Sequence, residues 1–529
     1  MSSYLRAAVR RTAGQYRNPV HPGDFPDPTL IRVGPRDFFA TTTSTDWAPQ
    51  FPLLHSRDLV HWKSVGAVFQ NRPEWSIGKH WAPDLSAHGG RYFLYYVGHK
   101  RGGSLSIAVA TADRPAGPYV DHGPLVGQAA GSIDPMAFTD SDGTRYLLWK
   151  EDGNAVDRPT PVWAARLSPD GLHVVGEPVE LLRNDCAWEG EVVEAPFVLQ
   201  RGEWYYLFYS GNACCGDECA YAVGVARARS VLGPWEKYAA NPILAGNSQW
   251  KCPGHGSIVI DDEGRSFLLY HAYARDAATF VGRQALLDEV TWQTDGWPAI
   301  QAGRGPSSRA SVPFFRSSGS TTSGIVYDDF AGDVLGPEWQ WPQFGRPGIA
   351  FERNAGGIRS LVLGVPTASH DPLAAVVGRS LRSGSFMATT TVMLDGAGQA
   401  GLAAYGDRKH ALGIALRGER IIVWQRKSGV VNELASASAK RSRVYLRMIA
   451  RGGTSFRFHY SADGKRWTAL GPTLDGADLP PWDRGVRVAL TVGGAPYARA
   501  RFAFLRIVPF VKTPFGVPSA ARAARLEAG

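Results

Sequence analysis

From residue 27 onward, short apolar stretches alternate with turn residues, and the same order of features recurs five times. Asp27-Pro28-Thr29-Leu30-Ile31 is followed by Phe38-Phe39-Ala40. Trp81-Ala82-Pro83-Asp84-Leu85 crosses Gly89-Gly90 to Tyr92-Phe93-Leu94-Tyr95-Tyr96. Asp134-Pro135-Met136-Ala137-Phe138 crosses Asp142-Gly143 to Tyr146-Leu147-Leu148-Trp149, and Glu194-Ala195-Pro196-Phe197-Val198 crosses Arg201-Gly202 to Tyr205-Tyr206-Leu207-Phe208-Tyr209. His255-Gly256-Ser257-Ile258-Val259 crosses Glu263-Gly264 to Phe267-Leu268-Leu269-Tyr270. Each copy is a strand, a turn and an aromatic strand, which is the pattern of a hairpin. Later parts recur as well: Val109-Ala110-Thr111-Ala112 precedes Gly117-Pro118-Tyr119, and Val225-Ala226-Arg227-Ala228 precedes Gly233-Pro234-Trp235. The starting points 27, 81, 134, 194 and 255 are 54, 53, 60 and 61 residues apart. Five units of about four short strands predict an all-β, five-bladed β-propeller over residues 18–316.

The Ser/Gly/Thr-rich segment 317–324 reads as a linker, and beyond it the pattern changes. Phe386, Ala388, Thr390, Val392 and Leu394 alternate on one face, as do Phe456, Phe458 and Tyr460. Phe502, Phe504, Arg506 and Val508 form a late alternating strand. Strands without helical periodicity predict a β-sandwich over 325–510, followed by an Ala/Arg-rich tail, 511–529.

A chain of 529 residues exceeds one ordinary core, in keeping with two domains. Hydrophobic residues are 44% and charged residues 20%, which is globular composition. The net charge of +9 is spread along the chain, whereas a nucleic-acid binder concentrates its cations in a patch, so no nucleic-acid partner is expected. No apolar run nears the roughly 18 residues of a membrane span, and none is expected to cross a bilayer. Arg6, Arg10, Arg11 and Arg17 precede no apolar stretch of secretory length, so the expectation is a cytoplasmic protein, or a secreted one if a leader has been trimmed. Cys186, Cys214, Cys215, Cys219 and Cys252 are an odd set with no standard zinc spacing, and read equally as loop-bracing disulfides or free thiols.

The innermost strand of every propeller blade faces one channel, so matched positions of the repeat converge. Those positions hold Asp27, Trp81, Asp134, Glu194 and His255. Unpaired buried charge is costly, and three acids at matched positions are hard to explain as packing. Converging carboxylates without phosphate loops or metal-ligand clusters point to glycoside hydrolysis, where one acid is protonated and another ionised. Like-charge repulsion from a third raises the acid's pKa. Trp81 suits the apolar face of a sugar ring, or equally packing between blades.

Gly-Asp-Phe-Pro-Asp-Pro around Asp27, Ser-Ile-Asp-Pro around Asp134 and Val-Val-Glu-Ala-Pro around Glu194 resemble glycoside hydrolase family 43, as do Trp81-Ala82-Pro83-Asp84 and Gly254-His255-Gly256. The resemblance covers residues 18 to 300 and implies a five-bladed inverting enzyme of the β-xylosidase or α-L-arabinofuranosidase type. It implies Asp27 as general base, Glu194 as general acid and Asp134 as the residue tuning that acid. It also implies that His255, near the propeller centre, is associated through water with an ion such as calcium, with no cofactor required for the reaction. Arg283, in Gly-Arg-Gln-Ala-Leu-Leu, resembles an arginine that reaches the sugar pocket. Asp328-Asp329-Phe330 with Trp339-Gln340-Trp341 resembles the opening of the concanavalin-like domain of exo-acting members, which implies release of single terminal pentoses from an oligosaccharide or polysaccharide side chain. Gly211-Asn212-Ala213-Cys214-Cys215 departs from the xylosidase pattern, and oligomeric state is not legible.

Glu189 and Glu191 are rivals for the acid, but only Glu194 falls on the repeat position. Asp24 reads as a rim or turn residue and Asp84 as structural. His80, His99 and His271 are conceivable pocket donors whose commoner role is structural. Asp58 and Asp142 belong to turns. Two other readings stay open: a retaining fructosidase, which shares the propeller-plus-sandwich plan, and a non-catalytic carbohydrate-binding protein.

Overall fold

A computed structural model of the protein describes residues 14–276, 278–314, 324–353, 357, 359–439 and 441–510. The tail 511–529, most of the linker and Arg6, Arg10 and Arg11 lie outside them. Among the described residues, the first part of the chain forms five four-stranded antiparallel sheets. Their innermost strands are Thr29–Gly34, Trp81–His88, Ser132–Thr139, Val193–Arg201 and Trp250–Ile260. Each lies beside the next, and the fifth lies beside the first, so the blades close into a ring. The chain's beginning seals it: Gln15–Arg17 pairs antiparallel with Arg309–Ser311, and the Asn18 side chain exchanges hydrogen bonds with the backbone of Leu287 in blade five (3.0 and 2.9 Å).

Every inner strand enters through a residue of positive φ: Asp27 (52°), Ala82 (35°), Asp134 (55°), Ala195 (56°) and His255 (39°). Such a backbone is strained for residues other than glycine and persists where its surroundings over-determine it. At four of these five the preceding blade does so. Side chains accept the N–H of Asp27 (His271 Nδ1, 3.0 Å), Ala82 (Thr43 Oγ1, 2.7 Å), Ala195 (Asp134 Oδ2, 2.9 Å) and His255 (Ser210 Oγ, 3.0 Å). A second layer repeats the device three residues on. Leu30 N–H donates to Ser257, Leu85 N–H to Thr29 and Ala137 N–H to Asp84 (2.9, 3.1 and 3.0 Å). Asp84 is thus the structural acceptor that its place in the repeat suggests.

These contacts correct the alignment of the repeat. The equivalent residues are Asp27, Ala82, Asp134, Ala195 and His255. Trp81 and Glu194 stand one position earlier, where Trp81 pairs with Val97, Ile133 with Lys150, Glu194 with Ser210 and Gly254 with His271. Both still reach the channel mouth, because the bend at the next residue turns this position toward it.

The second part is a sandwich of an eight-stranded and a six-stranded antiparallel sheet. Its core includes Phe386, Ala388, Leu402, Ile414, Leu446, Phe456 and Phe458. The last strand, Arg499–Pro509, departs from simple alternation. A bulge opposite Thr390 to Val392 shifts its register, so Phe502 is followed into the core by Leu505 and Ile507 while Phe504 stays half-buried. The propeller enters this core through Phe280, whose ring lies 5.8 Å from that of Phe456 and whose carbonyl accepts the Val486 N–H (2.9 Å). Trp47–Ala48 pairs with Trp341–Pro342 across the junction. Asp24 is neither rim nor turn cap: it pairs with Arg487 of the sandwich (3.1 Å), both side chains under 5% exposed. No helix among the described residues is long and apolar enough to cross a membrane.

Candidate active site

The inner strands of blades one, three, four and five bring Asp27, Asp134, Glu194 and His255 to one cavity of about 430 Å³, which Trp81 and Arg283 also line. All six residues singled out in the sequence meet there. His255 Nδ1 stands between Asp27 and Asp134, 3.5 Å from one carboxylate and 3.8 Å from the other.

Both oxygens of Asp27 are engaged. Oδ1 accepts from Arg283 Nη1 (2.7 Å) and Oδ2 from the Thr43 hydroxyl (2.6 Å). Burial alone would raise its pKa, but the Arg283 guanidinium, with His255 behind it, holds it well below the usual carboxylate range. Asp27 is therefore an ionised, fixed acceptor. His271 is buried and unable to carry charge at neutral pH. Desolvation and Arg283 bring its pKa down to about 4, so it serves as the neutral acceptor for the Asp27 N–H.

The other two carboxyls behave as a pair. Burial, reinforced by the nearby Glu194 carboxylate, pushes Asp134 up to about 7, against the pull of His255. Glu194 moves the other way. Burial would raise it, but Lys150 Nζ sits 2.9 Å from Oε2 and the Tyr221 hydroxyl donates to Oε1 (2.8 Å), so its pKa is lowered. These directions run against the expectation that Glu194 rests protonated: Lys150 favours the Glu194 anion, and burial favours the protonated form of Asp134. Lys150 is itself 1% exposed and also touches Asp152 (3.1 Å).

Sequence reasoning missed Lys150, Tyr221 and Thr43. The accessory domain's resemblance implied that it packs on the propeller and shapes the pocket rim, but not which residues do so: Trp482 and Asp483 lie in the cavity wall. Trp482 stands edge-on to Trp81 (6.1 Å between centroids), and Lys79 lies over both rings (4.8 and 5.7 Å). The Asp483 carbonyl accepts from Arg283 Nη2 (3.1 Å), so the guanidinium that fixes Asp27 is itself fixed by the second domain. Cysteine pairing is resolved as Cys214–Cys215 and Cys219–Cys252, with Cys186 free. The rivals for the acid stand elsewhere. Glu189 is fully buried and held by Lys237 and Tyr209 (2.7 Å each), and Glu191 is exposed outside the cavity. His80 and His99 bond to Ser76 and to the Gly103 carbonyl, away from the cavity.

Calcium takes six to eight oxygen ligands. Around His255 the described residues supply no cluster of three metal-ligating side chains, and its Nδ1 faces two carboxylates. The one such cluster, Asp185, Cys186 and Glu189, is occupied by the Lys237 ammonium. The donor set at the channel does not fit a protein-built calcium cage.

A closed ring of blades whose mouth gathers one locked carboxylate and a coupled pair, walled by tryptophans, defines a propeller-type glycoside hydrolase. Comparison with known families agrees. Residues 16–298 match the model of glycosyl hydrolases family 43, and residues 327–484 match that of the beta xylosidase C-terminal concanavalin A-like domain. The chain belongs to family 43. It is 27% identical over 503 residues to Xylosidase/arabinosidase 43B of Humicola insolens, covering 87% of this chain and 89% of that protein. It is 29% identical over 342 residues to the non-reducing end alpha-L-arabinofuranosidase BoGH43B of Bacteroides ovatus, covering 61% of this chain and 60% of that one. Among solved structures it resembles a mutant of the GH43 protein BlXynB from Bacillus licheniformis, with a TM-score of 0.79 and 25% identity, over 94% of this chain and 100% of the other.

Proposed function

We propose that this enzyme is an exo-acting, inverting glycosidase that removes a terminal arabinofuranose or xylose from plant-type oligosaccharides. The observation that carries the proposal is the meeting of three carboxyls at one cavity under opposite influences: Arg283 holds Asp27 ionised, burial raises Asp134, and Lys150 lowers Glu194. Asp27 would take a proton from water as it attacks the anomeric carbon. Glu194 would deliver one to the departing glycosidic oxygen. Asp134, which accepts the Ala195 N–H, orients the acid's backbone and, raised by burial, can hold a proton beside it. A sugar entering the cavity displaces water and desolvates the Glu194 carboxylate further, which raises its pKa toward the protonated form that donation needs. The names of the relatives, xylosidase/arabinosidase and arabinofuranosidase, support a pentose. The tryptophan-walled cavity, closed on one side by the sandwich, supports attack at a chain end. Two disulfides support work in an oxidising compartment rather than the reducing cytoplasm.

The test is a panel of nitrophenyl xyloside, arabinofuranoside and galactoside, with Asp27→Asn and Glu194→Gln beside the wild type. Pentoside turnover should fall by about 10²-fold or more in both variants. NMR of the first-formed sugar should show the inverted anomer. A retained anomer would establish the nucleophilic, fructosidase-like chemistry instead. Absence of turnover on every substrate would leave a binding protein.

A further inference from the structure

The loop from Asn212 to Tyr221 in blade four runs beside the acid and is anchored at several points. Asn212 N–H donates to the Glu189 and Val192 carbonyls (2.7 and 3.0 Å). Ala220 N–H donates back to the Ala213 carbonyl (3.0 Å), closing the loop on itself. Tyr221 reaches Glu194, and Cys219–Cys252 staples the loop to the inner strand of blade five. Within this braced frame, the adjacent residues Cys214 and Cys215 are joined to each other, and both line the sugar cavity.

A bond between neighbours closes almost no loop, so it removes little unfolded-state entropy and bridges no two parts of the fold. Bracing is already supplied by Cys219–Cys252. What the Cys214–Cys215 bond does change is the surface. Two thiols that could donate hydrogen bonds or ionise become one compact, rigid, polarizable face with no donor. A pentose carries its hydroxyls at the ring edge and C–H groups on its faces, and a donor-free wall matches the latter.

Resting on the pentose-hydrolase reading above, we propose that the Cys214–Cys215 disulfide is a substrate-binding element: an apolar wall of the cavity against which a C–H face of the terminal sugar packs. It is a ground-state contact and takes no part in proton transfer.

The experiment compares wild type with Cys214→Ala/Cys215→Ala, which keeps Cys219–Cys252. It reads KM and kcat on a nitrophenyl pentoside, the dissociation constant of the free pentose by calorimetry, and the thermal midpoint. The expected result is KM and pentose Kd raised about tenfold, with kcat changed less than about threefold and the midpoint nearly unmoved. Unchanged KM and Kd would overturn the inference. So would a fall in kcat and midpoint with KM untouched, since that is how a purely structural brace behaves. A wild type that neither binds nor cleaves any pentose would defeat the pentose reading and this inference together. A wild type that does, beside an indistinguishable variant, would defeat the wall alone.

Discussion

Replacing Lys150 with Met keeps a long apolar stem and removes the ammonium in contact with Glu194. Its Nζ lies 2.9 Å from Glu194 and 3.1 Å from Asp152, and the side chain is 1% exposed. An opposite charge at this range depresses a carboxyl by about 1–3 pKa units, each unit being 1.36 kcal/mol. The variant should therefore raise the Glu194 pKa by about that much. Activity limited by the protonated acid should then persist to higher pH, moving the basic limb of kcat/KM upward by a like amount. A poor leaving group should be used, because a good one needs little protonation. Stability carries the opposite signature in the two proteins. In the wild type Glu194 is depressed, so its contribution is full above the unfolded pKa and is lost as pH falls through the folded one. In Lys150→Met the folded pKa lies above the unfolded one, so the variant is penalised as pH rises between them and is relieved in acid. Breaking a buried pair costs about 3–5 kcal/mol. The deficit against wild type should be near that size at pH 8 and clearly smaller at pH 5. Urea unfolding at the two pH values measures it. A basic limb that stays in place, with a deficit equal at both pH values, would refute the coupling of Lys150 to Glu194.

Arg283→Gln removes the main charge opposing the burial of Asp27, so the acidic limb of the pH–rate profile should move up by about 1–3 units while kcat/KM falls. The same variant should lose stability earlier on acidification, since a depressed carboxylate stabilises above its unfolded pKa and that increment is lost as pH falls through the folded one. At the domain junction, Arg487→Met strands the buried Asp24 carboxylate and should cost about 3–5 kcal/mol in denaturant unfolding. Adding Asp24→Asn should recover part of the loss, and strict additivity of the two variants would argue against the pair.

The ring was legible because Asp-Pro, Ala-Pro and aromatic strands recur at a spacing that no unrelated set of hairpins would keep. The meeting of Asp27, Asp134 and Glu194 followed from that ring alone. The offset of Glu194 by one residue was not legible, because the irregularity that creates it lies in backbone φ and not in residue type. Lys150 left a trace: it follows the aromatic run of its strand at the position that carries Val97, Ser210 and His271 in other blades, and a lysine there is anomalous for a fully buried site. Trp482 and Asp483 left none, since which loop of a second domain docks at the mouth depends on the junction and not on either repeat. Phe504 was misplaced because a bulge exchanges the two faces of a strand without a mark in the residue types. Cysteine spacing could not choose among pairings that depend on loop paths.

The contact between Arg283 and the Asp483 carbonyl makes the two halves of this chain a single instrument. A propeller lifted out by itself would lack an acceptor for the guanidinium that steadies its base, and a wall of its cavity. Exchanging accessory domains between relatives to alter preference for one sugar over another would therefore disturb proton chemistry as well as fit. A useful chimera would have to carry the 482–484 turn and its seat beside Asp46 as one transplanted unit.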